Sequence, residues 1–409
     1  MLIIKEKYMQ IKEIVLYLFG LSFFYNFDIS KIFLSLMILF ILIDIFYFKE
    51  KLECGNDKLR NFIFFLVIGG TIWNFMADFN YRAARAYLKI NRYAVIIFYL
   101  YPLVKYKKEI LRNFLISILL SYCILLFKGI KFYELNRNLN YYRFDAFEGV
   151  MDVAVLVAVV SAFFFGNLIQ EKDKKLKIIN LILFLSSLFL IVITQTRASM
   201  LALIGAAGCM LIFNKNLKLI IASFVLGCLL LFGFMQTPQA RRFKTNTFNV
   251  KVSTDNMSNG LRVEMWKNAI WRFKQHPIMG SGTKQDYELF SKYVENMPET
   301  TETEKIYKNV FRNGFDDAHC MYLNALTDNG LFFLVQLIFI FAVLPYILIV
   351  NKNYKYRLPL VGGLSAYYIF GVVWPIWRHG WDPMLLWTLI ALLCCGYIYK
   401  DTKEIKNEK

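Results

Sequence analysis

The sequence predicts an all-α polytopic membrane protein with about twelve transmembrane helices and a large helical loop between spans 9 and 10. Three observations predict it. The 409 residues are 57% hydrophobic and 17% aromatic, with a mean hydropathy of +0.44. The apolar residues fall in long runs, and a helix needs about 20 residues to cross a hydrocarbon core of about 30 Å. Lys and Arg collect in alternate short connections, as the orientation of spans in a bilayer requires.

The runs, in order, are 11–27, 29–48, 61–77, 90–104, 113–128, 149–169, 178–194, 199–213, 219–235, 330–350, 358–375 and 384–399. The first continues from Met1–Glu13, which lacks the small-residue site of a cleavable signal peptide. The short basic connections Glu50–Arg60, Lys105–Arg112, Glu171–Lys177, Asn214–Lys218 and Asn351–Arg357 share one side with both termini if the span count is even. That side is expected to be cytoplasmic. The segments are then 1–235 for spans 1–9, 236–318 for an external subdomain, 319–400 for spans 10–12 and 401–409 for a cytoplasmic tail.

The two faces differ in their cations. The internal side holds 21 Lys and 3 Arg, the external side 12 Lys and 12 Arg. Lysine inside is a topological need, and part of the net charge of +18 meets anionic headgroups. Arginine outside has no such cause. Its planar fork binds phosphate by two prongs and stays charged when partly buried, so the external face is expected to receive a phosphorylated, lipid-linked substrate. No basic cluster sits on a soluble module, which argues against nucleic acid. The seven cysteines are scattered without metal, redox or disulfide spacing. No Asp-x-Asp or His/Cys cluster suggests a metal, and no cofactor is expected.

The external loop Gln236–Ala318 balances 13 basic against 10 acidic residues, which suits a folded subdomain. Leu261–Lys274 reads as an amphipathic helix, with Val263, Trp266, Ile270 and Phe273 on its apolar face. His276–Pro277 stops it, and Gly280 and Gly282 permit the following turn. Thr300–Lys305 is polar and acidic and reads as a mobile tip.

Within this frame a few residues carry the chemistry. Arg197 lies in Thr194-Gln195-Thr196-Arg197-Ala198, a very short connection beside hydrocarbon; it anchors a phosphate or snorkels to headgroups. Arg262 opens the amphipathic helix, where free N–H groups favour anions; a solvated surface arginine is the competing account. His319, in Asp316-Asp317-Ala318-His319, can take a proton from a sugar hydroxyl, with either aspartate orienting the ring or raising its pKa; a helix-start histidine without chemistry is the alternative. Arg378 and Trp377 lie in an indole-rich turn that suits a sugar ring or an interfacial aromatic belt. Arg82, Arg85 and Arg92 with Tyr81 and Tyr87, and Arg137 and Arg143 with Tyr141 and Tyr142, form two further basic-aromatic segments or solvated loop faces.

Taken together, Thr194–Ala198, Leu261–Trp266, His276–Gly282 and Ala318–Leu323, followed by Gly330, resemble the O-antigen ligase/polymerase superfamily in order and in topology. Family members often carry Asn after the histidine, where this chain has Cys320. The resemblance implies a metal-independent glycosyltransferase that moves a glycan from undecaprenyl pyrophosphate to an acceptor hydroxyl on the periplasmic side. In a lipopolysaccharide O-antigen ligase that acceptor is lipid A–core. Carried over by motif, Arg197 and Arg262 would bind the pyrophosphate and His319 would be catalytic. A polymerase or a protein-glycosylating relative would share the donor. A lipid-linked sugar transporter or flippase, the alternative of another class, predicts broken helices and charges at the bilayer midplane.

Overall fold

The computed structural model describes residues 2–77, 79–137, 143–146, 149–214, 257–285, 287–312, 317–378 and 380–399. Among these residues all regular structure is helical, and the chain is an all-α polytopic membrane protein. The first nine helices are α1 (Leu2–Ser22), α2 (Phe27–Phe46), α3 (Asp57–Met76), α4 (Tyr81–Asn91), α5 (Val95–Tyr106), α6 (Glu109–Asn136), α7 (Val150–Gln170), α8 (Lys174–Thr194) and α9 (Arg197–Asn214). Outside the apolar series follow α10 (Met257–Gln275), α11 (Tyr287–Glu295) and α12 (Glu302–Arg312). The chain closes with α13 (Met321–Val350), α14 (Arg357–Phe370) and α15 (Trp381–Tyr399).

Among the described residues eight helices are long and apolar enough to cross a bilayer: α2, α3, α6, α7, α8, α9, α13 and α15. The expected spans 11–27, 90–104 and 358–375 coincide with α1, α5 and α14. The first of these carries charge along its N-terminal half, and the other two run for only 12 and 14 residues. The expected span 219–235 lies outside the described residues.

Local signals set the helix starts. Asn56 before α3 and Asp173 before α8 each accept hydrogen bonds from two backbone N–H groups of the first turn, satisfying donors that the helix itself cannot. Packing then sorts the helices. In α15, 94% of the span window is buried, and in α7 72%, against 28% in α2, α3 and α8. These last leave rows of large apolar residues exposed, such as Ile32, Leu39 and Leu42 on α2, which is the composition of a lipid-facing surface. At the crossing of α7 and α14 a Cβ on Gly166 would lie 2.6 Å from Pro359 Cα, and one on Gly362 would lie 2.7 Å from the Ala162 oxygen. Small residues let these two backbones meet.

Helices α10 to α12 share a separate apolar cluster of Leu261, Met265, Phe290, Val294, Met297, Tyr307 and Phe311. Three local expectations change here. Helix α10 begins at Met257, so Arg262 lies in its second turn, past the free N–H groups that would have favoured an anion. The buried stripe of α10 is Leu261, Met265, Asn268, Ala269 and Arg272 rather than the expected apolar face: Val263 and Ile270 are exposed by 38% and 45%, while Trp266 packs in part against Ala269, Ala318 and Cys320. The helix is clamped between α11–α12 and the 318–323 segment, so its inner face includes two polar residues that a count of apolar positions discards. Thr300–Lys305 is ordered as the start of α12. The Glu304 carboxylate accepts from the Thr301 N–H at 2.9 Å while the Thr301 hydroxyl accepts from the Glu304 N–H at 3.2 Å, a reciprocal cap that fixes the turn.

Candidate active site

Helix α13 is interrupted near its N-terminal end, at Gly330. Gly330 takes a φ of +53°, open to glycine at no steric cost, and a Cβ there would collide with the Ile278 carbonyl. The loop that follows α10 fills this break. Ser281 N–H donates to the Thr327 oxygen at 2.9 Å, Gly282 N–H to the Asp328 oxygen at 3.0 Å, and Leu331 N–H to the Ile278 oxygen at 2.8 Å. From α3, the Trp73 indole N–H donates to the Met279 and Asn329 carbonyls at 3.1 and 3.0 Å. Asn74 bonds to the side chains of Asn329 and Thr283, at 2.8 Å each. Gly280 and Gly282, read from sequence as turn formers, thus lie in the loop that packs onto the broken helix.

His319 sits on the turn leading into α13. Its backbone φ is +45°, a left-handed conformation costly for a residue with a Cβ. Two anchors hold it there. The Asp317 carboxylate accepts from the His319 backbone N–H at 2.5 Å and lies 2.7 Å from ring Nδ1. Beyond the turn, Met321 N–H donates to the Gly371 oxygen at 2.7 Å, and Ala318 N–H to the Asn324 side chain at 2.9 Å. The Trp374 ring meets the imidazole edge-on, with centroids 5.1 Å apart. The His319 side chain keeps 21% of its surface exposed. Burial works against the charge on Asp317, yet the hydrogen bond and charge of His319, with help from Arg378, draw its carboxyl down to about 2. An ionised carboxylate beside Nδ1 orients the ring and favours the tautomer that carries its proton there. Asp316 lies outside the described residues.

Arg378 lies next to this turn but is engaged. Its guanidinium donates to Asp328 at 2.5 Å, with side chains only 7% and 6% exposed. Its carbonyl accepts from Lys284 Nζ at 2.9 Å. Arg378 therefore ties the Trp374–Arg378 turn to α13 and to the loop after α10; Trp377 on the same turn is partly buried.

Arg197 and Arg143 form a second group. Helix α8 ends at Thr194, Gln195 turns left-handed at φ +50°, and Arg197, partly buried, opens α9. Arg143 grips this turn, donating from Nε to the Thr194 carbonyl at 3.0 Å and from NH2 to the Thr196 hydroxyl at 2.8 Å. Ser199, one turn into α9, donates to Ala154 of α7 at 3.2 Å. Arg197 thus stands at a helix N-terminus, the positive end of the helix dipole.

The remaining residues are spread more widely. Arg262 is partly buried on α10, beside Glu264, which accepts from Tyr293 at 2.7 Å. Arg82 and Arg85 are exposed on α4, which reaches the glycine loop through Asn80–Gln285 at 3.2 Å and the close approach of Ala83 to Gly282. Among the described residues no group of three or more His, Cys, Asp or Glu side chains could hold a metal ion.

The sequence reading missed Asp328 and Arg272. Asp328 is paired with Arg378, and Arg272, 1% exposed on α10, adds its charge to the same carboxylate. A signal for Asp328 existed: a lone acid in an apolar run implies a cationic partner. Starting the span at residue 330 hid it in the loop.

Residues 181–338 match the family model described as O-antigen ligase. The match takes in Arg197, Arg262, Arg272, His319 and Asp328, and leaves Arg82, Arg85, Arg143, Trp377 and Arg378 outside. No curated protein matches the chain.

Proposed function

We propose, from the match of residues 181–338 to the O-antigen ligase family model, that the chain is a member of the O-antigen ligase/polymerase superfamily and transfers a glycan from undecaprenyl pyrophosphate to a hydroxyl of lipid A–core at the periplasmic face of the inner membrane. The observation that carries this reading is the Asp317–His319 pair, held on a strained turn with the ring partly open to solvent. An oriented imidazole suits removal of a proton from an acceptor hydroxyl.

In this mechanism the acceptor hydroxyl gives its proton to His319 Nε2 as its oxygen bonds to the anomeric carbon. The bond from that carbon to the pyrophosphate oxygen breaks, and undecaprenyl pyrophosphate leaves with the electron pair. Negative charge grows on the leaving phosphate, so fixed guanidinium groups stabilise the transition state more than the ground state. Arg197 and Arg262 take that role. Asp317 holds the ring and offsets the imidazolium charge. Arg82 and Arg85 offer exposed guanidinium groups to donor phosphates, and Trp377 an indole face to a sugar. Arg143 and Arg378 act through the turns they brace. The charge of the leaving group is met by arginine, so the reaction proceeds without a divalent metal.

The break in α13 resembles what a transporter would need. Its backbone groups, however, are taken up by Ile278, Ser281 and Gly282, which favours a fixed site over an alternating one. Transfer assays with purified lipid-linked donor and three acceptors test the reading: lipid A–core, a second lipid-linked repeat unit and a Ser/Thr peptide. Product with lipid A–core supports the ligase. Product with another acceptor alone reassigns the acceptor, and unchanged donor with all three removes the transfer reading.

A further inference from the structure

A cavity of about 230 Å³ opens between α1, α6, α7, α8 and α15. It lies away from His319, toward the membrane face that carries Arg60, Arg112 and Arg357. One end is lined by Arg112, Asn167 and Asn180, the other by Phe23 and Tyr122. Helix α6 advances ten residues from Arg112 to Tyr122, about 15 Å at the rise of an α-helix and thus half of a hydrocarbon core of about 30 Å. Between these ends the walls are apolar apart from Thr388, whose hydroxyl donates to the Met384 carbonyl, and Leu119 is among them. The slot therefore has the reach of one leaflet.

Its polar end is supplied with donors that the fold does not use. The Arg112 side chain is exposed and makes no ion pair or hydrogen bond among the described residues, nor do the side-chain amides of Asn167 and Asn180. A guanidinium with nearby amide donors at the mouth of an apolar slot is complementary to an amphiphile with a phosphate at one end.

We propose that this cavity binds an anionic phospholipid of the leaflet on that face, one acyl chain in the slot and the headgroup phosphate on Arg112. Basic pockets between spanning helices seat such headgroups. The chain would fill the space between α6, α7 and α15 and hold the buried α15 against its neighbours. The proposal rests on the membrane-spanning fold and not on the transfer chemistry, so either can fail alone.

Native mass spectrometry of the full-length protein in detergent, titrated with phosphatidylglycerol and phosphatidylcholine, tests it. Wild type is expected to bind phosphatidylglycerol roughly fivefold more tightly, the worth of about one basic residue at a membrane surface. Arg112→Ala should abolish this preference and Arg112→Lys should retain most of it. Leu119→Trp, which fills the slot, should weaken binding of both lipids, while excess inorganic phosphate should leave phosphatidylglycerol bound. Equal binding of the two lipids by wild type, an unchanged preference in Arg112→Ala, full binding by Leu119→Trp, or displacement by inorganic phosphate would each overturn the proposal.

Discussion

The histidine turn and the arginine turn solve the same problem by opposite means. Each fixes one functional side chain where a helix starts, and each uses a residue in the left-handed region, His319 itself in one and Gln195 in the other. The histidine turn is held by charge: Asp317 on the ring, with Arg378 adding its charge to that carboxylate. The arginine turn is held by neutral acceptors, a backbone carbonyl and a hydroxyl, both gripped by Arg143. A base needs a partner that sets its tautomer and balances the charge it acquires. At the histidine turn a carboxylate faces the ring it orients, whereas at the arginine turn a second guanidinium, Arg143, grips uncharged oxygens.

This contrast can be broken at several points. The largest effect is expected for His319→Ala, which should lower single-turnover rate by roughly 10²–10⁴ with donor affinity nearly intact. Near-wild-type turnover would make the histidine a structural element of the turn. Next comes Arg197→Ala, expected to slow turnover by about 10²-fold and to weaken donor binding as well. Arg197→Lys should stay impaired, because charge without the fork does not restore two-pronged contact. A silent Arg197→Lys would mark the residue as a headgroup anchor.

A smaller loss is expected from Asp317→Asn, on the order of 10–100-fold, as for other partners that orient an imidazole, with little change in donor affinity. The same residue predicts a pH effect on stability. Its folded carboxyl, near 2, lies below the ordinary value of 3.8, so its stabilising contribution is complete above about pH 4 and fades as pH falls toward 2. Thermal melts of wild type and Asp317→Asn should differ at pH 6 and converge near pH 2; a gap that persists at low pH would count against the ion pair. The smallest effect belongs to Arg143→Gln, which removes support from the arginine turn without touching the histidine. It should cost about 1–3 kcal/mol of stability and leave the pH–rate profile unchanged. A shifted profile would mean that the two turns are coupled.

Much of this was legible in advance where the signal is local. Eight of the apolar runs coincide with helices long and apolar enough to span, and Gly280 and Gly282 mark the turn after α10. Asp317 was named as a possible partner of His319 from two residues' separation alone. The reading failed where a neighbour elsewhere in the chain changed the outcome. The apolar face assigned to α10 was displaced because α11, α12 and the 318–323 segment cover another side of it. For Arg378 the sequence offers substrate binding or an interfacial charge, and only the fold shows its pairing with Asp328.

By itself, then, the sequence determined the all-α membrane class and the tight connection that carries Arg197. Both follow from hydropathy read along short stretches of chain. Tertiary structure alone decided that Arg378 pairs with Asp328, that Arg272 is buried beside them, and that Arg143 braces the turn of Arg197. Asp328 and Arg378 stand 50 residues apart, Arg143 and Thr194 51. Periodicity carries no information over such separations. A buried charge must find a partner, and which partner it finds depends on how the helices pack.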